Sequence, residues 1–464
     1  MRSIFWFRRD LRLRDNPALA EAARISTDVI PVFVFDPGLL ASAGPARRAF
    51  LADALDDLNR QLGGALHITM GDPAEVLSSL AAGLGVSAVV ATGDHTPQAR
   101  RRDAAVTAAL ASIGVESRYV DTPTLGAPGA YRNGSGQPFK VFTPYFKAAS
   151  LTHVPEPLEP ISADWRAIPS AVDPHVVLRP SQASTFPVSL VDAPPPTALP
   201  RGGETAALHR LEQFDAVVDT YDEQRNFPAL DTTSRLSADL HFGCLHPRQV
   251  IATIAGPSDG RKAFIRQLYW REFYADVLAE NPRTAHEDLN PNGVAVDSGP
   301  IANERFIAWA LGRTGYPMVD AGMRQLLTEG WMHNRVRMLT ASFLIKDLHL
   351  DWRWGAAWFM WRLVDGDVAN NIHGWQWTAG VGTDASPYYR VFNPTLQAER
   401  FDPDGTYIRR YVPELASITG SAVLQPGGGG AGGLFSNGYF EPMVDHAAER
   451  EEALGRLERS RLRS

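Results

Sequence analysis

Short apolar runs alternate with amphipathic stretches over the first 130 or so residues. The runs "SIFWF" (3–7), "VIPVFVF" (29–35), "LHIT" (66–69) and "AVVAT" (88–92) are separated by segments of helical period such as "ARRAFLADALDDLNRQL". Strands and helices in alternation predict a parallel sheet covered by helices on both faces, so residues 1–130 read as an α/β domain. From about residue 151 the composition shifts to Pro, Ser and Ala and ends in "DAPPPTALPRGG". Such a run buries too little apolar surface to fold alone, and 131–203 is expected to be an interdomain linker wrapped over the surface. After Glu204 the apolar residues recur at three- and four-residue spacing, as in "GRKAFIRQLYWREFYADVLAEN", "YPMVDAGMRQLLTEG" and "RVRMLTASFLIKDLHL". Residues 204–464 therefore read as an all-helical domain, with "QPGGGGAGGLFSNG" as a flexible loop before a short charged helix near 443–462.

Composition narrows the class without naming it. Hydrophobic residues at 44% and charged residues at 21% are ordinary globular values, which sets aside disordered and fibrous classes. The one cysteine, Cys244, cannot form an internal disulfide, a Cys-ligated zinc site or an iron–sulfur cluster, and no metal site is expected. The N-terminal "MRSIFWFRRDLRLRDN" has too short an apolar run for a secretory signal, and no later stretch is long and apolar enough to span a membrane, so a soluble cytoplasmic protein is expected. The net charge of -7 argues against a generic polyanion binder, but nucleic-acid binding needs only a local basic face, and charge leaves the partner open.

Candidate chemistry gathers in the helical half, where nine of the eleven tryptophans lie between Trp270 and Trp377. Each tryptophan taken singly is core; a cluster with polar partners is also a platform for a flavin or an unpaired base. "TSRLS" (233–237) is either an ordinary helix cap or a nest of hydroxyls and free N–H groups for a diphosphate. No GxGxxG and no GxxxxGK[ST] occurs, so a dinucleotide would not be held in the Rossmann or P-loop manner. In "QLYWREFY", Gln267, Trp270 and Arg271 share a helical face that suits either a flat ligand or a helix contact with a surface ion pair. In "MHNRVRM", Asn334 and Met338 are one turn apart and offer an amide beside a polarizable thioether, although Met338 also fits a core position. "DGDVANNIHGWQW" (365–377) sets two aspartates, two asparagines and two tryptophans in one short segment.

Taken in order, "FWFRRDLRLRDNPAL", "KVFTPYFK", "TSRLS", "QLYWREFY", "GRTGYPMVDAGMRQLLTEGWMHNRVRMLTASFLIKDL", "DGDVANNIHGWQW" and "YYRVFNPTLQAERFD" closely resemble the photolyase/cryptochrome family of flavoproteins, from the first residues to about Pro413. Within the family the chain looks most like bacterial members that repair cyclobutane pyrimidine dimers. The resemblance implies a Rossmann-like antenna domain followed by an all-α domain that holds FAD folded on itself. Matched by motif, the residues implied for FAD are Tyr221, Thr233, Ser234, Arg235, Leu236, Ser237, Gln267, Asn334, Arg337, Asp365, Gly366, Asp367 and Asn371. Asn371 would face flavin N5, where a neutral amide accepts from N5–H without imposing a full charge. Those implied for the lesion and DNA are Gln267, Trp270, Asn334, Met338 and Trp377 around a flipped dimer, with Arg225, Arg271, Arg335 and Gln397 toward phosphates. Trp375 and Trp352 match the electron relay, and the implied partner is damaged DNA bound by a monomer without an obligate protein partner.

Three positions depart from the family pattern. Gln267 stands where dimer-repairing members commonly carry glutamate; glutamine there also occurs in (6-4) photolyases and animal cryptochromes, but "MHNRVRM" lacks the histidine pair of the (6-4) enzymes. The outer tryptophan of the relay falls at Gly299, leaving Trp354, Trp358 or Trp361 as other exits. Folate-type antenna sites carry an acidic residue where this chain has Ala99, whereas "FDPGLL", "GPARRAFL" and "GDHTP" look like members that bind 8-hydroxydeazaflavin, which points to Phe35, Asp36, Arg47 and Asp94 rather than to a methenyltetrahydrofolate site. The rival reading is a blue-light receptor of the cryptochrome type, disfavoured by the short tail after Pro413.

Overall fold

The computed structural model describes residues 1–178, 195–383, 390–426 and 438–462. In the N-terminal half, β1 (Arg2–Phe7), β2 (Asp28–Phe35), β3 (His67–Met70), β4 (Ala88–Thr92) and β5 (Glu116–Val120) pair in parallel in the order β3-β2-β1-β4-β5. Helices cover both faces, so these strands read as continuous apolar runs rather than alternating ones. One local device repeats where strands give way to helices: a short polar side chain caps the helix and proline takes its first position, as at Asn16–Pro17, Asp36–Pro37, Asp72–Pro73 and Thr96–Pro97. The order reverses between β1 and β4, which opens a crevice at the carboxyl ends of these strands.

Part of the predicted linker is packed structure. Phe142–Ala149 forms a helix whose Phe142 and Tyr145 lie in one apolar cluster with Tyr269, Phe273 and Val277 of the Asp259–Glu280 helix. β6 (Asp164–Trp165) pairs with the start of β2. Proline-rich composition concealed these elements, because a few aromatic anchors suffice to hold a short helix against a long one. Residues 179–194, the middle of the linker, lie outside the described residues.

Beyond Glu204 the described chain is helical, built around Asp259–Glu280, Pro317–Glu329, Asn334–Lys346, Trp352–Arg362 and Val368–Ala379. The charged helix near the C-terminus spans His446–Arg461, while the glycine-rich loop expected before it lies, at 427–437, outside the described residues. Among the described residues no helix is long and apolar enough to cross a membrane.

The two halves share a core. Phe50 of the α/β half stacks on Phe242 of the helical half with ring centroids 4.9 Å apart. Gly243 has a φ of 67°, and a Cβ there would meet the Arg9 carbonyl oxygen at 1.9 Å, so glycine is needed both for the left-handed backbone and for the close approach. The buried Glu204 carboxylate accepts the backbone N–H groups of Leu13 and Arg14 at 2.8 and 2.9 Å. Arg12 donates to the Gly243 carbonyl at 3.0 Å.

Candidate functional site

The Asn334–Lys346 helix packs against Val368–Ala379, and the entry to the latter brings Asp365 to Arg337. Arg337 Nη2 donates to Asp365 Oδ2 at 2.8 Å, and its Nε donates to the Met332 carbonyl at 2.7 Å. The Asp365 side chain is only 4% exposed, and its Oδ1 is buried without a protein partner. Trp331 links this pair to the "TSRLS" turn: the Arg235 guanidinium lies 4.4 Å from its ring centroid and that of Arg337 lies 6.0 Å away. In the turn, Arg235 has a φ of 51°, Leu236 N donates to Ser234 Oγ at 3.3 Å, and Ser237 begins a short helix. Thr232 Oγ1 and Thr233 Oγ1 are likewise buried without partners.

Buried polar atoms are normally satisfied, so the Asp365 oxygen and the Thr232 and Thr233 hydroxyls left over here are open to a polar ligand. An adenine dinucleotide with a flavin ring fits that set: a carboxylate and a guanidinium for the ring edge, hydroxyls for the diphosphate. Asn371 Nδ2 donates to the Ala356 carbonyl at 2.9 Å, which leaves Oδ1 as the amide's remaining acceptor. Tyr221 is buried and packs edge-on to Phe214 and Phe264. Gly366 is buried between the two aspartates, and a Cβ there would make ordinary contacts.

Three expected site residues are turned elsewhere. The Asp367 carboxylate caps Val368–Ala379 through Asn370 N at 3.0 Å and pairs with Arg9 of the α/β half at 2.9 Å. Burial alone would raise its pKa, but His241 and Arg9 outweigh that and hold the carboxyl well below its ordinary range. Arg271 donates to the carbonyls of Pro123 and Leu240 and to Glu272, so its guanidinium is held between the two halves instead of reaching toward a phosphate. The Arg235 guanidinium is occupied by Asp231 and Glu329, which leaves only its backbone for a cofactor. Asp367 and Arg271, with Arg9, Asp94 and His95, line one small interdomain pocket.

On the lesion side, Trp270 stacks on Phe142 at 3.8 Å and tilts against Tyr274 at 5.5 Å. Gln267 is half-buried, and its Nε2 donates to the Ala263 carbonyl at 3.2 Å. Asn334 is exposed, with Nδ2 3.9 Å from Met338 Sδ, and Trp377 is half-buried one turn beyond His373. Arg335 lies over the Phe401 ring at 4.6 Å and donates to Asn226 at 2.6 Å. Burial lowers its pKa, as do three nearby cations, Arg390, Arg225 and Arg400. Of the residues expected toward phosphates, Arg225, Arg271, Arg335 and Gln397, the structure places Arg225 near Arg335, and it adds Arg390 and Arg400 beside them. Arg400 was legible in principle, since it sits three residues after Gln397 on the Pro394–Phe401 helix.

Trp375 is buried edge-on to Phe359 at 5.0 Å and lies over Gly355, where a Cβ would come within 2.1 Å of its ring. Trp352 donates Nε1–H to Asp288 at 3.0 Å. At the carboxyl end of the sheet, Phe35 is buried in the core and Asp36 caps Pro37–Ser42. Arg47 donates to the Met360 carbonyl across the domain boundary at 2.8 Å, and burial lowers its pKa to about 10. Asp94 faces Arg9 at 4.0 Å.

A doubly covered parallel sheet docked on a helical bundle, with an unpartnered carboxylate oxygen at a buried ion pair, is a two-domain frame with a place for a polar ligand in its helical half. Comparisons sharpen that class. Residues 3–162 match the family described as DNA photolyase, and 264–459 match the FAD binding domain of DNA photolyase. The chain is 40% identical to a deoxyribodipyrimidine photo-lyase of Halobacterium salinarum, with 99% of each chain covered. It is 36% identical to that of Escherichia coli, covering 99% of this chain and 98% of the relative. Among solved structures it superposes on a bacterial class III photolyase from Agrobacterium tumefaciens with a TM-score of 0.89 at 36% identity, covering 99% of this chain and 97% of that one. A cryptochrome of Synechocystis matches with a TM-score of 0.86 at 28% identity, covering 98% and 99%. The chain belongs to the photolyase/cryptochrome family and carries its FAD-binding domain.

Proposed function

We propose that this chain is a deoxyribodipyrimidine photo-lyase that uses blue light to split cyclobutane pyrimidine dimers in DNA. The observation that carries the reading is Asp365: one oxygen is held by Arg337 and the other is buried and unpartnered, in a chain of near-full-length likeness to photo-lyases. FAD bound there in its reduced form would supply light-driven one-electron chemistry, the electron that opens the cyclobutane ring being returned afterwards. Arg337 and Asp365 orient the ring edge, Asn371 presents a neutral amide at N5, and Thr233, Ser234 and Ser237 take the diphosphate. Gln267 and Asn334 hydrogen-bond the imide edges of the flipped dimer, Trp270 and Trp377 wall it, and Met338 touches it. Flipping a dimer costs less than flipping a sound base because it stacks and pairs poorly. Arg225, Arg335, Arg390 and Arg400 hold the flanking phosphates without reading sequence. Trp375 and Trp352 return electrons to an oxidised cofactor.

The three-part division into 1–130, 131–203 and 204–464 is proposed as the functional one, with an antenna on the first part. Phe35, Asp36 and Asp94 lie at the ends of β2 and β4 on either side of β1, which suits a deazaflavin-type antenna at the strand-order reversal. Buried Ala99 replaces the acidic residue of a folate site. The protein is read as a monomer that acts on DNA in the cytoplasm, where its single buried thiol, Cys244, stays reduced. The reduced, FAD-loaded protein is illuminated with oligonucleotides carrying either a thymine dimer or a (6-4) photoproduct. Restoration of the dimer alone is expected; restoration of the (6-4) product alone would reassign the pocket.

A further inference from the structure

We propose that Asp288 is the proton acceptor that traps the oxidised state of Trp352, so that a relay of two tryptophans suffices in this chain. The proposal rests on the reading that Trp375 and Trp352 refill the flavin with electrons. At the family's outer relay position stands Gly299, exposed, with open space where a Cβ would lie. With no ring at that position, we take Trp352, rather than Trp354, Trp358 or Trp361, as the last member of the relay, whose task is to keep the electron vacancy from returning to the flavin.

Its surroundings are built for that. The Trp352 ring is buried, but its Nε1–H donates to Asp288 Oδ1 at 3.0 Å, and the Asp288 side chain is 22% exposed, which gives a proton a route to water. Arg353 grips the same oxygen at 2.8 Å and lays its guanidinium 4.7 Å from the Trp352 ring centroid. A cation over the ring disfavours a second positive charge in the ring and favours loss of the indole proton. Arg353 also pairs with Asp351 at 3.2 Å, so it stays neutralised when Asp288 takes up a proton.

The step balances as follows. With FAD bound and photoexcited in its oxidised form, Trp375 would give up one electron, and Trp352 would refill Trp375 with one electron. The Trp352 Nε1–H bond then breaks and an O–H bond forms on Asp288, leaving a neutral indolyl radical. Recombination now requires the proton to come back with the electron. An external thiol reductant later supplies the electron, and Asp288 returns the proton.

The test is flash absorption spectroscopy of the full chain loaded with oxidised FAD, in ordinary and deuterated water. The native protein is expected to form a neutral tryptophan radical, more slowly in deuterated water. Asp288→Asn keeps a hydrogen-bond acceptor but loses the base. Its radical should stay cationic and recombine about tenfold faster, the rate equivalent of one charge-assisted hydrogen bond. FAD content, and dimer repair after chemical reduction, should be unchanged. An unaltered radical spectrum and lifetime in Asp288→Asn would overturn the proposal. So would loss of photoreduction in Trp309→Phe or Trp354→Phe with none in Trp352→Phe, since ring contacts of 6.1, 5.8 and 5.5 Å also join Trp375, Trp309, Phe306 and Trp354. Full photoreduction in Trp375→Phe would instead remove the relay reading on which the proposal stands.

Discussion

Asp365 and Arg337 are 28 residues apart in sequence and 2.8 Å apart in the fold. Removing the cation strands a buried carboxylate, which costs far more than the pair itself contributes. Arg337→Ala is expected to lower stability by about 3 kcal/mol and to release FAD on dilution, both read from denaturant titration and bound-flavin absorbance. On the proposed placement, Asn371→Asp sets a charge at flavin N5 and should change which flavin redox state accumulates under illumination; an unchanged photoreduction spectrum would argue that Asn371 lies elsewhere. At this scale Asp365 and Arg337 were legible through the motifs that resemble the photolyase/cryptochrome family. The sequence was not legible for Asp367, Arg271 and Arg235. Their partners Arg9, Pro123 and Glu329 lie so far along the chain that no local spacing reveals them.

The helix Val368–Ala379 carries Asn371, Trp375 and Trp377, and its neighbour Trp352–Arg362 makes room for it at Gly355. Gly355→Ala drives a methyl group into the Trp375 ring. Overpacking of this kind costs roughly 1–3 kcal/mol, so a lower melting temperature is expected together with slower photoreduction, while repair by chemically reduced protein is retained. The arginines Arg225, Arg335, Arg390 and Arg400 form a second unit drawn from separate segments. Arg335→Ala should weaken damaged and undamaged DNA alike and reduce the slope of log K against log salt by about one; a loss confined to damaged DNA would place Arg335 at the lesion instead. Helical period and strand alternation made the main elements readable, because burial imposes those periods directly. The Phe142–Ala149 helix was hidden, since its stability comes from the Asp259–Glu280 helix it packs on and not from its own composition.

At the scale of the molecule, the two halves are joined by a continuous apolar core and by buried charges at the boundary. This arrangement carries a pH dependence. Burial, with nearby arginines at the first three, lowers His95, His241, His333 and His373 from 6.5 to about 4, so all four are neutral in the fold. In the unfolded chain they protonate near 6.5, so stability is fully present above that pH and is lost progressively as pH falls toward 4. Glu272 and Asp239, raised by burial to about 7 and about 6, act in the opposite sense over the same window. The test is therefore His373→Phe, which should lessen the loss of denaturant midpoint on acidification; an unchanged profile would contradict the burial of that ring. The parallel sheet and helical bundle were readable from the chain's alternation, whereas the way they dock, through Gly243, Glu204 and Arg9, was not. The most direct measurement illuminates the chemically reduced, FAD-loaded protein with an oligonucleotide bearing one thymine dimer and follows absorbance in the base band. Light-dependent recovery to the undamaged value, absent in the dark, is the predicted result. No recovery from protein that still binds both FAD and the damaged strand would contradict repair and point to light signalling.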